Sequence, residues 1–165
     1  RQEVRALLPR GDRRGLTRND VLDATEYICP AIEIVDKRYH NFYGNICDNV
    51  SDNAFFHSYI LGDTIVRPYD IPLEEVGLTV FHNGAQSLSG TGAGVMGHPA
   101  EGVIWLANRM LDVGMPLKAG ELILSGSFTG GILASPGDTF EAVYSDNLGC
   151  IRVNFENKPH AEGET

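Results

Sequence analysis

Glu33 is the residue whose setting first suggests chemistry. It stands between Ile32 and Ile34 in Ala31-Ile32-Glu33-Ile34-Val35-Asp36, a run that otherwise reads as a buried strand. A carboxylate taken out of water without a partner costs several kcal/mol, so it needs a cation, a hydrogen-bond network or a raised pKa. The alternative is a strand at the sheet edge with Glu33 on the wet face, because alternation puts Glu33 and Val35 together and Ile32, Ile34 and Asp36 opposite. Glu3 is the other carboxylate at a strand-like position, in Glu3-Val4-Arg5-Ala6-Leu7-Leu8. Two carboxylates converging from separate strands suit a hard divalent ion such as Mg²⁺, with positions left open for water and substrate oxygens.

Three further groups of residues have possible chemistry. Asp48-Asn49-Val50-Ser51-Asp52-Asn53 is a polar cluster whose Asp or Asn side chains suit a base, a water-orienting group or a ligand for a substrate oxygen. Ordinary turn chemistry accounts for the same residues. Ser125-Gly126-Ser127-Phe128-Thr129-Gly130-Gly131 directly follows an apolar run, and its hydroxyls and flexible amides suit a carboxylate. The spacing is not GxSxG and lacks convincing His/Asp partners, which argues against a serine hydrolase. Gly92-Ala93-Gly94-Val95-Met96-Gly97 is neither GxGxxG nor a Walker loop, so close backbone packing explains it better than a nucleotide. The five histidines show no metal-type spacing; His82 reads as a surface residue before a turn and His98 as a structural residue at a helix start.

The elements that must position these residues are mostly short. A strand is expected over Glu3–Leu8, then a basic loop through Arg10–Gly15, then a helix over Arg18–Ile28 with Thr17 as N-cap and Asp20 completing an imperfect capping box. Pro30 ends that helix and the Glu33 strand follows. Residues 39–52 are the longest irregular stretch, and long loops are often functional. Val76–Phe81 reads as a strand, Asn83-Gly84 as a hairpin turn, and Ala85–Gly92 as the return. Pro99–Leu111 carries the best helical periodicity, with Gly114 as its stop. Strands are expected over Glu121–Leu124, Thr139–Tyr144 and Cys150–Phe155. Strands outnumber helices, which indicates an α+β domain dominated by curved or rolled mixed sheet, occupying residues 1–156 as one unit, with residues 157–165 as a polar tail.

Composition narrows the function classes. The chain has 165 residues, enough for one core, and its formal net charge of −9 argues against nucleic acid or an anionic membrane as partner. A small anionic substrate is still admissible, since a local metal or Arg reverses the sign inside a pocket. Cys29, Cys47 and Cys150 are odd in number and far apart, so free thiols in a reducing cytoplasm are expected rather than a disulfide framework or a cysteine-zinc site. There is no signal-peptide pattern and no apolar run approaching ~18 residues. The chain begins on Arg1 without Met, and the true N-terminus is expected upstream.

Taken in order, these segments resemble the 2-keto-4-pentenoate hydratases and the sister 2-oxo-3-hexenedioate (4-oxalocrotonate) decarboxylases of the fumarylacetoacetate hydrolase-like superfamily. Pro30-Ala31-Ile32-Glu33-Ile34-Val35-Asp36-Lys37-Arg38 resembles their PA(I/L)E(I/L)(V/I)DSR motif. Asp48–Ala54 resembles the segment ending in DNA. Gly92–Pro99 with Trp105-Leu106-Ala107 resembles the GAGAAxLGHP…WLA block, and Leu117–Gly126 with Pro136-Gly137-Asp138 the LxAGxxILSG…PGD ending.

The resemblance implies a fumarylacetoacetate hydrolase C-terminal-like fold, an α+β mixed β-sandwich or roll with a few helices, and a lyase dependent on Mg²⁺ or Mn²⁺. Its metal is held by an ExE pair and a later Glu; Glu33 matches the later Glu, Glu3 the second of the pair, and Arg1 stands where the first would be. Asn53 and Asp52 fall in the DNA motif as catalytic candidates, and Arg38, Ser127 and Thr129 fall at substrate-binding positions, although an ion pair with Asp36 or a neighbour suits Arg38 equally. Phe55 departs from the Ser that many hydratases carry after that motif. A catalytic Asp and Lys of the family's N-terminal region have no counterpart. The implied reaction is hydration of a 2-hydroxy-2,4-dienoate to a 4-hydroxy-2-oxo acid in meta-cleavage catabolism of aromatic compounds. The Leu124–Thr129 loop is closer to the hydratases, especially those taking longer dioic substrates. Decarboxylation is the alternative, and a non-catalytic assembly subunit or truncated inactive form is a third. A small 2-hydroxydienoate or 2-oxo acid is the expected partner, in a homo-oligomer and in a possible complex with a pathway neighbour.

Overall fold

Asn83 and Gly84 both take left-handed backbone, with φ of 52° and 81°, the geometry of a two-residue turn that matches strand twist. They join strands that, with their neighbours, make the larger of two sheets. The structure is a computed structural model that describes residues 15–39 and 45–156. In chain order the elements are α1 (Arg18–Ala24), β1 (Ala31–Val35), α2 (Ile46–Ser51), β2 (Phe56–Leu61), β3 (Gly77–His82), β4 (Ala85–Thr91), α3 (Pro99–Asp112), β5 (Thr139–Tyr144) and β6 (Gly149–Asn154). β1 and β2 form a two-stranded sheet; the other runs β4-β3-β5-β6. The α+β expectation holds, and every strand pair among the described residues is antiparallel rather than mixed.

Helix α3 is the organising helix. His98 caps it by accepting from Ala100 N at 3.0 Å, Pro99 opens it, and Gly114 follows it at φ +74°. Its inward face supplies Ala100, Val103 and Ala107, which pack on Val21 of α1, on Leu117 and on Ile123. Val21 and Val103 are almost wholly buried, each worth ~1.5–3 kcal/mol relative to exposure. Thr17 and Asp20 do form a reciprocal capping box on α1. No helix of the described residues is long and apolar enough to cross a membrane.

Three elements differ from expectation. Helix α1 stops at Ala24, four residues short of Ile28, because Ile28 pairs instead with Val66 through two backbone hydrogen bonds of 2.8 and 2.9 Å. The stretch read as irregular contains α2, capped by Asn45, whose side chain accepts from Cys47 N and Asp48 N while Asp48 accepts from Asn45 N. Its two apolar side chains, Ile46 and Val50, are exposed, so no buried face announces it. Glu121–Leu124 joins no sheet among the described residues. The Glu3–Leu8 strand, the basic residues Arg10–Arg14, His40 and the tail at 157–165 lie outside the described residues.

Candidate active site

A cavity of about 540 Å³ lies among β1, the strands β3, β5 and β6, and the segment 122–134. Glu33 is on its wall, opposite Tyr59 in the β1–β2 ladder, and is itself exposed, so it stands where the cavity meets solvent. The two readings of Glu33 therefore meet: it is on the wet face of an edge strand, and it borders a pocket. It is the only charged residue of the wall among the described residues, and none of those residues gives its carboxylate a hydrogen bond or ion pair.

Strand β1 is tied to the larger sheet by Tyr144, whose hydroxyl donates to Ala31 O at 2.9 Å, two residues before Glu33. Burial raises the Tyr144 pKa, so the hydroxyl stays protonated and keeps this donor role.

The Ser125–Gly130 loop forms another part of the wall. No ladder holds it; close backbone contact does. A Cβ on Gly102 of α3 would sit 2.5 Å from Ser125 O, and one on Gly90 of β4 would overlap Phe128 O. Gly94 lies against the same carbonyl. At Gly90 and Gly102 only glycine permits the approach; at Gly94 a Cβ would make ordinary contact. Within the loop, Ser127 Oγ donates to Thr129 O at 2.7 Å and accepts from Thr129 N at 3.3 Å, while Thr129 Oγ1 donates to Gly130 O at 3.2 Å. Both hydroxyl protons are thus engaged inside the loop. What remains toward the cavity is acceptor capacity and the loop's amides.

Arg38, Asp52 and Asn53 make a second cluster, beyond the bulged end of the β1–β2 pair, and none of them is on the cavity wall. Arg38 Nη1 meets Asp52 Oδ1 at 2.6 Å and Asp52 O at 3.0 Å, and its Nη2 donates to Phe56 O at 2.8 Å. The Asp52 carboxylate is buried, and the Arg38 hydrogen bond holds it below the usual carboxylate range. Arg38 therefore takes the neighbour ion pair. Asp52 is an ionised anchor, a poor proton acceptor near neutrality. Between the two carbonyls that Arg38 grips, Asn53, Ala54 and Phe55 all have left-handed backbone, with φ of 52°, 51° and 65°. Such residues cost of order 1–3 kcal/mol each and collect at functional sites. Asn53 is exposed at the start of this strained turn. No sequence pattern signals that strain.

His98 is the structural residue expected: it is buried at the α3 cap, with Nε2 3.6 Å from Glu74 Oε2. His82 is less exposed than expected, stacked on Phe140 at 4.5 Å and 3.1 Å from Asp138.

A hard divalent ion takes six or more oxygen ligands. Among the described residues no group of three or more His, Cys, Asp or Glu is gathered to supply them. Glu33 offers one unengaged carboxylate at a cavity mouth, which fits such an ion as part of a donor set; Glu3 lies outside the described residues.

The described residues thus make an antiparallel α+β scaffold that brings one carboxylate strand and a hydroxyl-bearing loop to a common cavity. The chain belongs to the fumarylacetoacetate (FAA) hydrolase C-terminal family, whose model matches residues 6–156. It is 41% identical over 141 residues to the 2-hydroxyhexa-2,4-dienoate hydratase of Comamonas testosteroni, a match spanning 86% of this chain and 53% of the relative. It is 39% identical over 142 residues to the 2-oxo-hept-4-ene-1,7-dioate hydratase of Escherichia coli, spanning 82% and 53%. Among solved structures it resembles 4-oxalocrotonate decarboxylase from Pseudomonas putida G7 complexed with magnesium and adipate, with a TM-score of 0.85 and 31% identity over 93% of this chain and 57% of that one. The chain thus spans about half the length of the curated relatives it matches.

Proposed function

We propose that the protein of which this chain is part is a hydro-lyase that adds water to a 2-hydroxy-2,4-dienoate, giving a 4-hydroxy-2-oxo acid. The observation that carries the reading is Glu33, an unengaged carboxylate on the wall of a cavity shared with the Ser125–Gly130 loop, in a chain about 40% identical to hydratases. Glu33 and Glu3 would hold Mg²⁺ or Mn²⁺, which when bound supplies positive charge for the enolate that develops during reaction. In the reaction the dienol is protonated at C5 to a conjugated ketone, and water then adds at C4 with a proton delivered to C3. The loop's amides orient the carboxylate, and the acceptor oxygens of Ser127 and Thr129 take the proton of the 2-hydroxyl as hydrogen-bond acceptors. The family resemblance gives Asn53 the role of orienting substrate or water, and the residue lies beside the Arg38–Asp52 pair, off the described cavity wall. Aromatic-compound catabolism in the cytoplasm, a homo-oligomeric state and a complex with a pathway neighbour belong to the same reading.

Decarboxylation of a 2-oxo-3-enedioic acid is the second reading, supported by the likeness to the decarboxylase structure. The test is to give the full natural chain a 2-hydroxydienoate with Mg²⁺. Loss of dienol absorbance with oxygen incorporated from labelled water is the expected result; CO₂ release from an enedioic substrate favours decarboxylation. Glu33→Gln should abolish metal-dependent turnover, and full activity in that variant would sink the site assignment.

A further inference from the structure

Tyr144 touches both halves of the site from a fixed base. It ends β5, paired with Leu78 of β3 on one side and Gly149 of β6 on the other, so its main chain is held within the four-stranded sheet. Its side chain lies on the cavity wall. The hydroxyl donates to Ala31 O at 2.9 Å. Ala31 and Glu33 share a face of β1, about 6.6 Å apart along the strand, so what fixes Ala31 bears directly on the Glu33 carboxylate. The Phe128 ring meets the Tyr144 ring edge-on, with centroids 6.4 Å apart and planes at 72°. Phe128 stands between Ser127 and Thr129, and its carbonyl is the one that Gly90 packs on. Strand β1 belongs to the two-stranded sheet, and the loop joins no ladder among the described residues. One side chain thus links the carboxylate strand to the loop across the cavity they share.

We infer that Tyr144 is a positioning residue that sets the separation of Glu33 from the Ser125–Gly130 loop, its hydroxyl placing the strand and its ring placing the loop. The inference rests on the proposed reading, in which Glu33 helps to hold a divalent ion and the loop amides hold a carboxylate. A 2-oxo acid that meets the ion and those amides at once has a fixed span, so the two halves must stand at one separation. Misplacement of such groups by ~1 Å can cost ~100-fold in rate. A side chain rooted in the middle of a sheet suits that task better than one carried by either moving part.

The test uses the full natural chain. Mn²⁺ affinity is read by electron paramagnetic resonance, and binding of 2-oxohexanoate, an unreactive 2-oxo acid, by calorimetry at saturating Mg²⁺. Tyr144→Phe keeps the ring and removes the donor, so Mn²⁺ binding about two- to tenfold weaker is expected, the range of one hydrogen bond. Phe128→Leu keeps the donor and removes the ring contact, so 2-oxohexanoate should bind about two- to tenfold more weakly, with Mn²⁺ affinity at the parent's value. A purely structural Tyr144 would lower the denaturation midpoint and leave the affinities of the folded protein alone. Unchanged Mn²⁺ affinity in Tyr144→Phe therefore overturns the inference, as does a Phe128→Leu variant that weakens Mn²⁺ binding equally. One measurement needs no variant. Coupling is reciprocal, so saturating Mg²⁺ should shift the Tyr144 Cζ and Ala31 carbonyl carbon resonances of the parent, and unmoved resonances overturn the inference. Dienoate turnover measured in parallel separates the two claims. Mn²⁺ binding weakened by Tyr144→Phe, in a parent that turns over no dienoate, supports the positioning role and sinks the hydratase reading. Turnover lost in Glu33→Gln, with Mn²⁺ affinity indifferent to Tyr144, does the reverse.

Discussion

Replacing Gly102 by Ala sets two effects of known sign against each other. Gly102 lies inside α3, where Ala is favoured over Gly by ~1 kcal/mol from helix propensity alone. The added methyl, however, would sit 2.5 Å from Ser125 O. A tolerable C···O approach is ~3.3–3.6 Å, so the main chain at Ser125 must withdraw by about 1 Å. Overpacking of that kind costs ~1–3 kcal/mol. The two effects sum to a net destabilisation of roughly 0–2 kcal/mol, where helix propensity alone predicts a gain. The displaced carbonyl is two residues from Ser127, and misplacement by ~1 Å at a reacting site can cost ~100-fold in rate. Urea titration gives the stability change through the midpoint at constant slope, and amide chemical shifts of Ser125–Thr129 report the displacement whether or not turnover is measurable. Gly131→Ala is the stability control: its Cβ would meet open space, so a change within ~0.5 kcal/mol is expected. A gain of ~1 kcal/mol in Gly102→Ala with unshifted loop amides would refute the packing of this loop on α3.

Three further outcomes follow from the same geometry. Burial holds the His98 pKa below its ordinary 6.5, so the unfolded chain takes up a proton that the folded one refuses. Stability should be level in this respect above pH 6.5 and decline as pH falls below it; His98→Asn keeps the cap and should remove that decline, and a persistent slope would count against His98 as its source. For Asp52 the sign is that of a depressed carboxyl: its pairing with Arg38 stabilises the fold above pH 3.8 and is lost as pH falls through the lower folded value, so Asp52→Asn should lower the denaturation midpoint at neutral pH and by progressively less as pH falls below 3.8. Tyr144→Phe leaves Ala31 O without its donor, an expected cost of ~1–3 kcal/mol with faster amide exchange in β1, and exchange rates equal to the parent's would show that this bond does not hold the Glu33 strand.

Where the fold was legible in the sequence, a local rule and the global packing agreed. Asn83-Gly84 could serve the β3–β4 turn because both residues tolerate the left-handed backbone it requires. Helix α3 showed its apolar face, its opening Pro99 and its closing Gly114 within one stretch. Helix α2 failed the same test, since a six-residue helix with exposed Ile46 and Val50 has no buried stripe to display. The length of α1 was misread because Ile28 fits helical spacing, and only its pairing with the distant Val66 removes it from the helix.

The site divides along the same line. Glu33 was conspicuous because a carboxylate between two isoleucines violates its surroundings, and that conflict marked a cavity wall. The bond between Arg38 and Asp52 spans fourteen residues and depends on three successive left-handed residues, none of them glycine, which propensity would never suggest. The glycines that build the Ser125–Gly130 loop were visible but silent, because a glycine announces that something comes close without saying what. Gly90, Gly94 and Gly102 come from β4, the turn after it and α3, and they meet one loop that has no ladder of its own. The polar residues that look like the site are therefore held in place by residues that carry no chemistry. A substitution at Gly90 or Gly102 should disturb the Ser127–Thr129 loop as surely as one within it, and the Gly102→Ala measurement reads that dependence directly.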